Sequence, residues 1–307
     1  MSLVVKNLTK IFGQQIAVND VSFEAQKGEI MGFLGQNGAG KSTTMKIATG
    51  YLPPSSGSVE VAGFDVVSNP TEAKKRVGYL PEQNPLYADM YVQEFLHFVG
   101  RVHGLKGNER QQRVNQMLEL CGLQREQHKK IAALSKGYKQ RVGFAQALIH
   151  QPEVLILDEP TNGFDPNQML EIRNVIRNMS QEKTVIFSTH ILQEVKALCQ
   201  KVVIIDNGKI IANCSIEELS QLTDNQVKIV VEFGSAVPTE LLEALEGVQA
   251  IRQTDEKRYE ITANSQESKQ VRTAIFQLAV QQNWTLTSIS EQEIALENVF
   301  QKLTRKT

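Results

Sequence analysis

The fold of this chain is decided by residues 35–43, Gly35-Gln36-Asn37-Gly38-Ala39-Gly40-Lys41-Ser42-Thr43. They follow the apolar run Ile30–Leu34, and a helical pattern begins near Lys41, so the sequence predicts a strand, a glycine loop and a helix. The spacing GxxxxGK(S/T) in that context is typical of a phosphate cradle, in which glycines let backbone N–H groups converge on phosphate oxygens. Lys41 adds a positive charge, and Ser42 is expected to hold magnesium through its hydroxyl. A flexible glycine-rich turn is the alternative.

A second signal is the apolar run Val154–Leu157, which ends in the adjacent acids Asp158 and Glu159. Parallel α/β sheets bind ligands at the carboxyl ends of their strands, so the two acids suggest divided roles. Asp158 would support magnesium, directly or through water, and Glu159 would orient and deprotonate an attacking water as general base. A solvated strand end is the alternative for the pair taken alone, and the phosphate loop disfavours it.

Ser135 precedes a helical run that contains Val142, Ala145 and Leu148, so it is a credible helix N-cap. As a cap it needs no further role. As part of an anion site it would offer its hydroxyl, the backbone of Gly137 and the helix dipole. The local sequence leaves both interpretations open.

Length and composition indicate a globular chain of two domains. It has 307 residues, 41% of them hydrophobic, and its net charge of -1 gives no global attraction to nucleic acid or anionic lipid. Three separated cysteines predict neither a disulfide framework nor a zinc site. The amino terminus lacks a secretory leader, so we expect a cytoplasmic protein. Its longest apolar runs, such as Val202–Ile205, are far below the roughly 20 residues of a membrane span, so a membrane role requires a partner chain.

The order of apolar patterns predicts the domain organisation. Short β-type runs suggest an antiparallel entry sheet, residues 94–150 read as helical, and α/β alternation then returns as in a parallel sheet covered by helices. This first domain should span residues 1–220. In the second domain, 226–307, residues 227–233 alternate strictly, and the order β-α-β-β-α-β suggests a small α+β, ferredoxin-like fold.

These segments, in this order, resemble the ATP-binding cassette (ABC) family over residues 1 to about 220. The fold class implied is an α/β P-loop NTPase cassette with a parallel core sheet, an antiparallel β subdomain and a helical subdomain. The motifs that carry the resemblance are Walker A at Gly35–Thr43, the signature at Leu134–Tyr138, Walker B at Ile156–Glu159, the D-loop at Asn162–Pro166 and the switch histidine in Ser188–His190.

The resemblance implies an ATP hydrolase in which two copies pack head to tail and sandwich ATP between Walker A of one and the signature of the other. Glu159 would be the base and His190 would contact the γ-phosphate. The implied cofactors are ATP and Mg²⁺. The residues implied in ATP binding are Phe12, Gly35, Asn37, Gly38, Ala39, Gly40, Lys41, Ser42, Thr43, Ser135 and Gly137, and those implied in Mg²⁺ binding are Ser42, Asp158, Glu82 and Gln83.

Three positions depart from the family pattern. Lys136 and Tyr138 stand where the commonest signature has glycine and glutamine. Glu82 aligns with the usual Q-loop glutamine and Gln83 follows it, so either one could serve magnesium. Phe12 stands where the family stacks an aromatic ring on adenine, and a plain core role is the alternative.

Residues 77–87, 134–150 and 296–304 resemble the bacterial exporter branch that includes multidrug and gliding-motility ATP-binding subunits. That branch implies a peripheral protein on the cytoplasmic face of the inner membrane, bound to a separate permease, with a regulatory or dimer-stabilising carboxy-terminal domain. A soluble ABC ATPase of the translation or DNA-repair type is the alternative. One Walker A, a compact helical insert and no cysteine cluster disfavour it, and no nucleic-acid partner is expected.

Overall fold

The computed structural model describes residues 2–161, 166–180, 182–219 and 226–293. The chain separates into two compact units, Met1–Ile216 and Glu217–Thr307. In the described ranges, the strands of the first unit are β1 (Leu3–Phe12), β2 (Gln15–Ala25), β3 (Ile30–Leu34), β4 (Ser56–Val61), β5 (Phe64–Asp65), β6 (Val77–Leu80), β7 (Val154–Asp158), β8 (Thr184–Thr189), β9 (Lys201–Asp206) and β10 (Lys209–Ser215). Its helices are α1 (Lys41–Ala48), α2 (Pro70–Arg76), α3 (Val92–Val102), α4 (Gly107–Leu120), α5 (Lys136–Leu148), α6 (Pro166–Ser180) and α7 (Leu192–Leu198), with a 3₁₀ turn at Ile131–Ala133.

The central sheet has the strand order β10-β9-β3-β8-β7-β6. β9, β3, β8, β7 and β6 run parallel, and β10 closes one edge antiparallel to β9. Every residue of β3 and β7 is buried, as expected for strands covered on both faces. The register pairs Leu34 with Thr189 and Asp158 with Ser188. The carboxyl ends of β3, β7 and β8 therefore lie side by side, and the predicted parallel sheet is confirmed.

The predicted antiparallel sheet is also present, with the order β2-β1-β4-β5. Its buried side chains share one core with the central sheet and α1, where Phe23 packs on Phe33 with ring centroids 5.2 Å apart. Met45 and Ile47 of α1 enter the same core. This packing holds the helix that follows the glycine loop.

Helices α3, α4 and α5 form the helical part that the sequence predicts between residues 94 and 150. Ser135 is the N-cap of α5, where its hydroxyl accepts from the backbone N–H of Tyr138 at 3.4 Å. Within the ranges that the structure describes, none of the helices combines the length and apolarity that crossing a bilayer requires.

The second unit is built from β11 (Gln226–Phe233), α8 (Thr239–Glu243), β12 (Val248–Asp255), β13 (Arg258–Asn264), α9 (Ser268–Gln281) and β14 (Leu286–Glu293). Its sheet has the order β12-β13-β11-β14 with antiparallel neighbours. β13 thus separates the two strands of the first βαβ unit, which is the ferredoxin-like, split arrangement that the sequence predicts. Pro238 is the N-cap of α8, and its ψ of 124° is extended.

The core of the second unit contains a buried tyrosine that fixes the entry to α8. Tyr259 is 0% exposed, its hydroxyl donates to the carbonyl of Val237 at 2.9 Å, and the N–H of Val237 donates back at 3.0 Å. Phe233 stacks edge-on against both Tyr259 and Trp284, with centroids 5.8 and 5.7 Å apart. Trp284 therefore reports on the packing of this core.

Replacing Tyr259 by phenylalanine should destabilise the second unit by about 1–3 kcal/mol, because the buried N–H and C=O of Val237 lose their shared partner. Urea unfolding of the full chain, followed by the fluorescence of Trp284, measures this unit, since the chain has a single tryptophan. Tyr87→Phe is the control, because Tyr87 is 54% exposed. An unchanged urea midpoint for Tyr259→Phe would contradict the assignment.

Candidate functional site

The glycine loop lies between β3 and α1, as the sequence predicts. Gly40 has φ of +108°, and a Cβ there would lie 2.6 Å from the carbonyl oxygen of Ala17, so only glycine fits this turn. Gly40 is the N-cap of α1 and provides no side-chain cap. The first amides of α1 are consequently left to bind an anion, which the helix dipole also favours.

Lys41 is buried over this loop. Its ammonium donates to the carbonyl oxygens of Gly35 at 2.7 Å and Gln36 at 3.1 Å. It also lies 3.3 Å from Oε1 of Glu159, an ion-pair distance without hydrogen-bond geometry. The first residue of α1 and the acid that follows β7 therefore meet, although 118 positions of sequence separate them.

An oxygen-rich pair suited to magnesium lies beside Lys41. The hydroxyl of Ser42 donates to Oδ1 of Asp158 at 3.2 Å, and Asp158 is 1% exposed. No cluster of three or more His, Cys, Asp or Glu side chains that could hold a metal occurs in the described part of the chain. Mg²⁺ commonly takes only one or two carboxylates and completes its shell with substrate phosphates and water, so the pair fits this ion.

Glu159 adopts a backbone conformation that is unusual for its type. Its φ is +49°, in the left-handed region, and its side chain is buried. Oε2 accepts from Nδ1 of His190 at 2.9 Å, which fixes the tautomer, since a carboxylate only accepts. Strained backbone at a buried acid is typical of functional sites. Glu159 thus stands between a lysine and a histidine.

Ser188 is a site residue that the sequence analysis did not single out. Its hydroxyl donates to Oδ1 of Asp158 at 2.6 Å and accepts from the N–H of Glu159 at 3.0 Å. One hydroxyl therefore orients both acids. Its position at the end of an apolar strand is the one feature of the sequence that could have indicated a site residue. Its hydrogen-bond partners follow only from the register of β7 and β8.

A pocket of about 510 Å³ opens above these groups. Phe12 lies on its wall and is 45% exposed, so it does not belong to the core. Gln15 and Ala17 line the pocket as well, and the sequence analysis did not identify them. The predicted residues that the structure gathers around the pocket are Phe12, Asn37, Gly38, Gly40, Lys41, Ser42, Thr43, Glu82 and Glu159.

Ser135 and Gly137 are not among the residues that line this pocket in the described ranges. The helix they begin is nonetheless linked to the end of Walker B, because Gln140 is 8% exposed and donates to the carbonyl of Pro160 at 3.3 Å. No sequence pattern indicated this link. The predicted D-loop residues Asn162, Gly163, Phe164 and Asp165 lie outside the described residues.

The consecutive residues Glu82 and Gln83 face different cavities. Glu82 lines the pocket above the phosphate loop, whereas Gln83 lines a second cavity of about 530 Å³. Lys46 and Lys74 are the lysines on the wall of this second cavity, and Tyr51 on its rim is 73% exposed. Three of its side-chain atoms, Tyr79 Oη, Gln146 Oε1 and His150 Nδ1, are buried and have no hydrogen-bond partner within the described residues.

Two histidines stack face to face on the wall of the second cavity. The rings of His103 and His150 lie 3.9 Å apart with an interplanar angle of 5°, and Nε2 of His150 lies 3.1 Å from the carbonyl oxygen of Val77. Burial, followed by the charge of His103, lowers the pKa of His150 to about 4. Burial also lowers the pKa of His103. Both rings are therefore neutral at neutral pH, and the positive charge of the cavity comes from its lysines.

A phosphate loop after β3, an acid pair at the end of β7 and a histidine after β8, all at one edge of a parallel sheet, define the class of P-loop ATPases. A family model described as ABC transporter matches residues 18–162. The linearmycin resistance ATP-binding protein LnrL of Bacillus subtilis (strain 168) is 33% identical over 308 residues, which cover 99% of each chain.

Solved structures agree. One described as the ATP-binding subunit of an ABC transporter is 30% identical with a TM-score of 0.67, covering 72% of this chain and 93% of that one. The dimeric, post-hydrolysis ATP-binding cassette MJ0796 with ADP and Pi shares the fold, with a TM-score of 0.65 at 23% identity over 70% of this chain and 98% of that one. The chain belongs to the ABC transporter family: it is a transporter's ATP-binding subunit and hydrolyses ATP.

The lowered pKa of His150 predicts a loss of stability in mild acid. The unfolded chain takes up this proton near the ordinary pKa of 6.5, and the folded chain only near 4, so stability falls as the pH drops through this window. Between pH 7 and pH 5, replacing His150 by glutamine should reduce the loss of unfolding free energy by on the order of 1–2 kcal/mol. Denaturant unfolding followed by circular dichroism measures it. The exposed His128→Gln serves as control, and equal pH slopes for His150→Gln and wild type would refute the prediction.

Proposed function

We propose that Glu159 is the general base of ATP hydrolysis and that His190 holds it while contacting the γ-phosphate. The carrying observation is the position of Glu159, whose two oxygens face Lys41 and His190 at 3.3 and 2.9 Å. Lys41 lies within reach of both this acid and the phosphate loop. Binding of the negatively charged phosphates would draw its ammonium toward them and free Oε1 to accept a proton from water.

Magnesium would be held by Ser42 and Asp158, which already share a hydrogen bond of 3.2 Å. When bound, the ion would offset the charge of the phosphate oxygens. Ser188 keeps Asp158 oriented toward it. Glu82 is favoured over Gln83 as the additional, water-mediated contact, because Glu82 lines the phosphate pocket. Phe12, on the same wall, is proposed to stack on the adenine ring.

The signature residues Ser135 and Gly137 are proposed to act on the nucleotide of a second copy of the chain, in a head-to-tail homodimer. Their place off the wall of their own pocket supports this. The position of Ser135 as the N-cap of α5 also supports this, because a helix N-terminus favours an anion. The dimeric state of the related cassette with ADP and Pi agrees.

The transporter is proposed to be an exporter in which this subunit sits on the cytoplasmic face of the membrane and drives a separate permease. The name of the linearmycin resistance relative supports export. The second cavity supports the docking of a partner, since segment 81–85 has Glu82 in the nucleotide pocket and Gln83 in that cavity. The gliding-motility relationship stays a prediction, as do the domain limits 1–220 and 226–307 and the regulatory or dimer-stabilising role of the second domain.

Replacing Glu159 by glutamine tests the base. Turnover of ATP by the purified chain should fall by about 10²- to 10⁴-fold, the usual contribution of a general base, while nucleotide binding is kept because the amide preserves the shape of the side chain. Glu153→Gln is the matched control, because Glu153 is an exposed acid directly before the same strand. Hydrolysis that is insensitive to Glu159→Gln would remove Glu159 from this role.

Reversing one charge at the second cavity tests the membrane partner. The tagged, Glu159→Gln chain is recovered from gently solubilised membranes together with any polytopic membrane protein that it binds. Lys74→Glu should reduce this recovery by at least about fivefold, because the new negative charge would repel a partner surface that complements the lysines of the cavity. Lys106→Glu is the control, because Lys106 is exposed and is not among the residues that line the cavity in the described ranges. Recovery only from the soluble fraction, with ribosomes or DNA, would favour the alternative of a soluble ABC ATPase.

A further inference from the structure

A buried acid outside the nucleotide pocket has no role in the mechanism above. Glu194, in the first turn of α7, is 1% exposed. Acids are almost never fully buried unless they are paired. Glu194 forms no ion pair within the described residues, and its Oε1 has no hydrogen-bond partner there. Keeping such a group buried costs folding free energy, so the one hydrogen bond that its side chain makes within the described residues indicates its role.

That contact is with Thr189, the last residue of β8, which is 0% exposed. The hydroxyl of Thr189 donates to Oε2 of Glu194 at 2.5 Å and accepts from the backbone N–H of Ile191 at 3.0 Å. A threonine hydroxyl has one hydrogen and two lone pairs. Because the hydrogen is committed to the carboxylate, a lone pair is left facing Ile191. Glu194 therefore fixes the rotation of the Thr189 hydroxyl, which keeps its accepting lone pair on the N–H of Ile191.

Two backbone hydrogen bonds hold the residues on either side of His190. On one side, the carbonyl of Thr189 accepts from the N–H of Gly35, at the start of the phosphate loop, at 3.3 Å. On the other side, the carbonyl of Ile191 accepts from the N–H of Glu194 at 3.2 Å. The backbone on both sides of His190 is thus tied to fixed elements, and Glu194 takes part through its side chain and its main chain.

His190 needs this support because, in the described part of the chain, its side chain has one polar partner, Glu159. Its side chain is 48% exposed, and its contact with Oε2 of Glu159 is made from a turn rather than from a regular element. A shift of about 1 Å in such a group can lower a rate by as much as 10²-fold. The direction of the ring is therefore set by the backbone of the turn.

We propose that Glu194 is a positioning residue for ATP hydrolysis, which acts through the hydroxyl of Thr189 to hold His190 against Glu159. The inference rests on the proposed role of His190. Within the described ranges, Glu194 does not line the nucleotide pocket and forms no hydrogen bond or ion pair with Asp158 or Glu159, so its effect would be transmitted by the turn 189–191. A carboxyl that merely stabilised the fold would have no special relation to His190.

The test is a double-mutant cycle in the purified full chain. Glu194→Ala and Thr189→Val, which keeps the shape of threonine without its hydroxyl, should each lower kcat by about 10-fold or more with KM for ATP changed less than about twofold. Thr189→Ser should stay close to wild type, because it keeps the hydroxyl. In a His190→Ala background, neither Glu194→Ala nor Thr189→Val should lower kcat further, because the effects of mutations at residues that act through one another are not additive.

Lys196→Ala, an exposed change on the same helix, controls for non-specific effects, and thermal unfolding checks that each variant is folded. Equal losses in the wild-type and His190→Ala backgrounds would overturn the inference, as would wild-type kcat for Thr189→Val. If Glu194→Ala fails to fold, Thr189→Val and Thr189→Ser decide alone. Wild-type turnover of His190→Ala by itself would instead contradict the proposed role of His190.

Discussion

The buried pairing of Lys41 with Glu159 is the interaction on which the site depends. A charge taken out of water costs several kcal/mol unless a partner of opposite sign is held close to it. Lys41 and Glu159 are both nearly inaccessible to solvent and lie 3.3 Å apart. Their meeting requires β3 and β7 to end at the same edge of the sheet with β8 between them. The core that packs α1 against the sheets therefore maintains the electrostatics of the site.

The hydroxyls at the end of β8 extend the same constraint. Ser188 orients the two acids. Thr189 connects the turn that contains His190 with the phosphate loop on one side and with α7 on the other. Neighbouring hydroxyls thus serve the acids and the histidine separately. The hydrogen bonds of Ser188 are made at the ends of the buried strands β7 and β8, so the acid pair is held on rigid elements, whereas His190 is held through the turn that follows β8.

The segment between β6 and α3 contributes to the walls of two cavities. The consecutive residues Glu82 and Gln83 of this segment line the nucleotide pocket and the second cavity respectively. Movement of this segment would change the shape of both the nucleotide pocket and the second cavity. The lysines and the unpartnered Tyr79, Gln146 and His150 atoms make the second cavity suited to a partner with acceptors and donors of its own.

Most of the elements and the chemistry of the site can be predicted from the amino-acid sequence. Loops, caps and amphipathic periods can be recognised within a few residues of sequence. Local patterns therefore predict the phosphate loop, the apolar strand that ends in Asp158 and Glu159, the cap at Ser135 and the order of elements along the second unit. The tertiary structure alone decided which of these groups touch. The register that joins Ser188 to Asp158, the left-handed backbone of Glu159, the separation of Glu82 from Gln83 and the bond from Thr189 to Glu194 depend on how strands and turns pack together. Local sequence specifies conformations, but a contact between distant residues is fixed only when the sheet has closed around both.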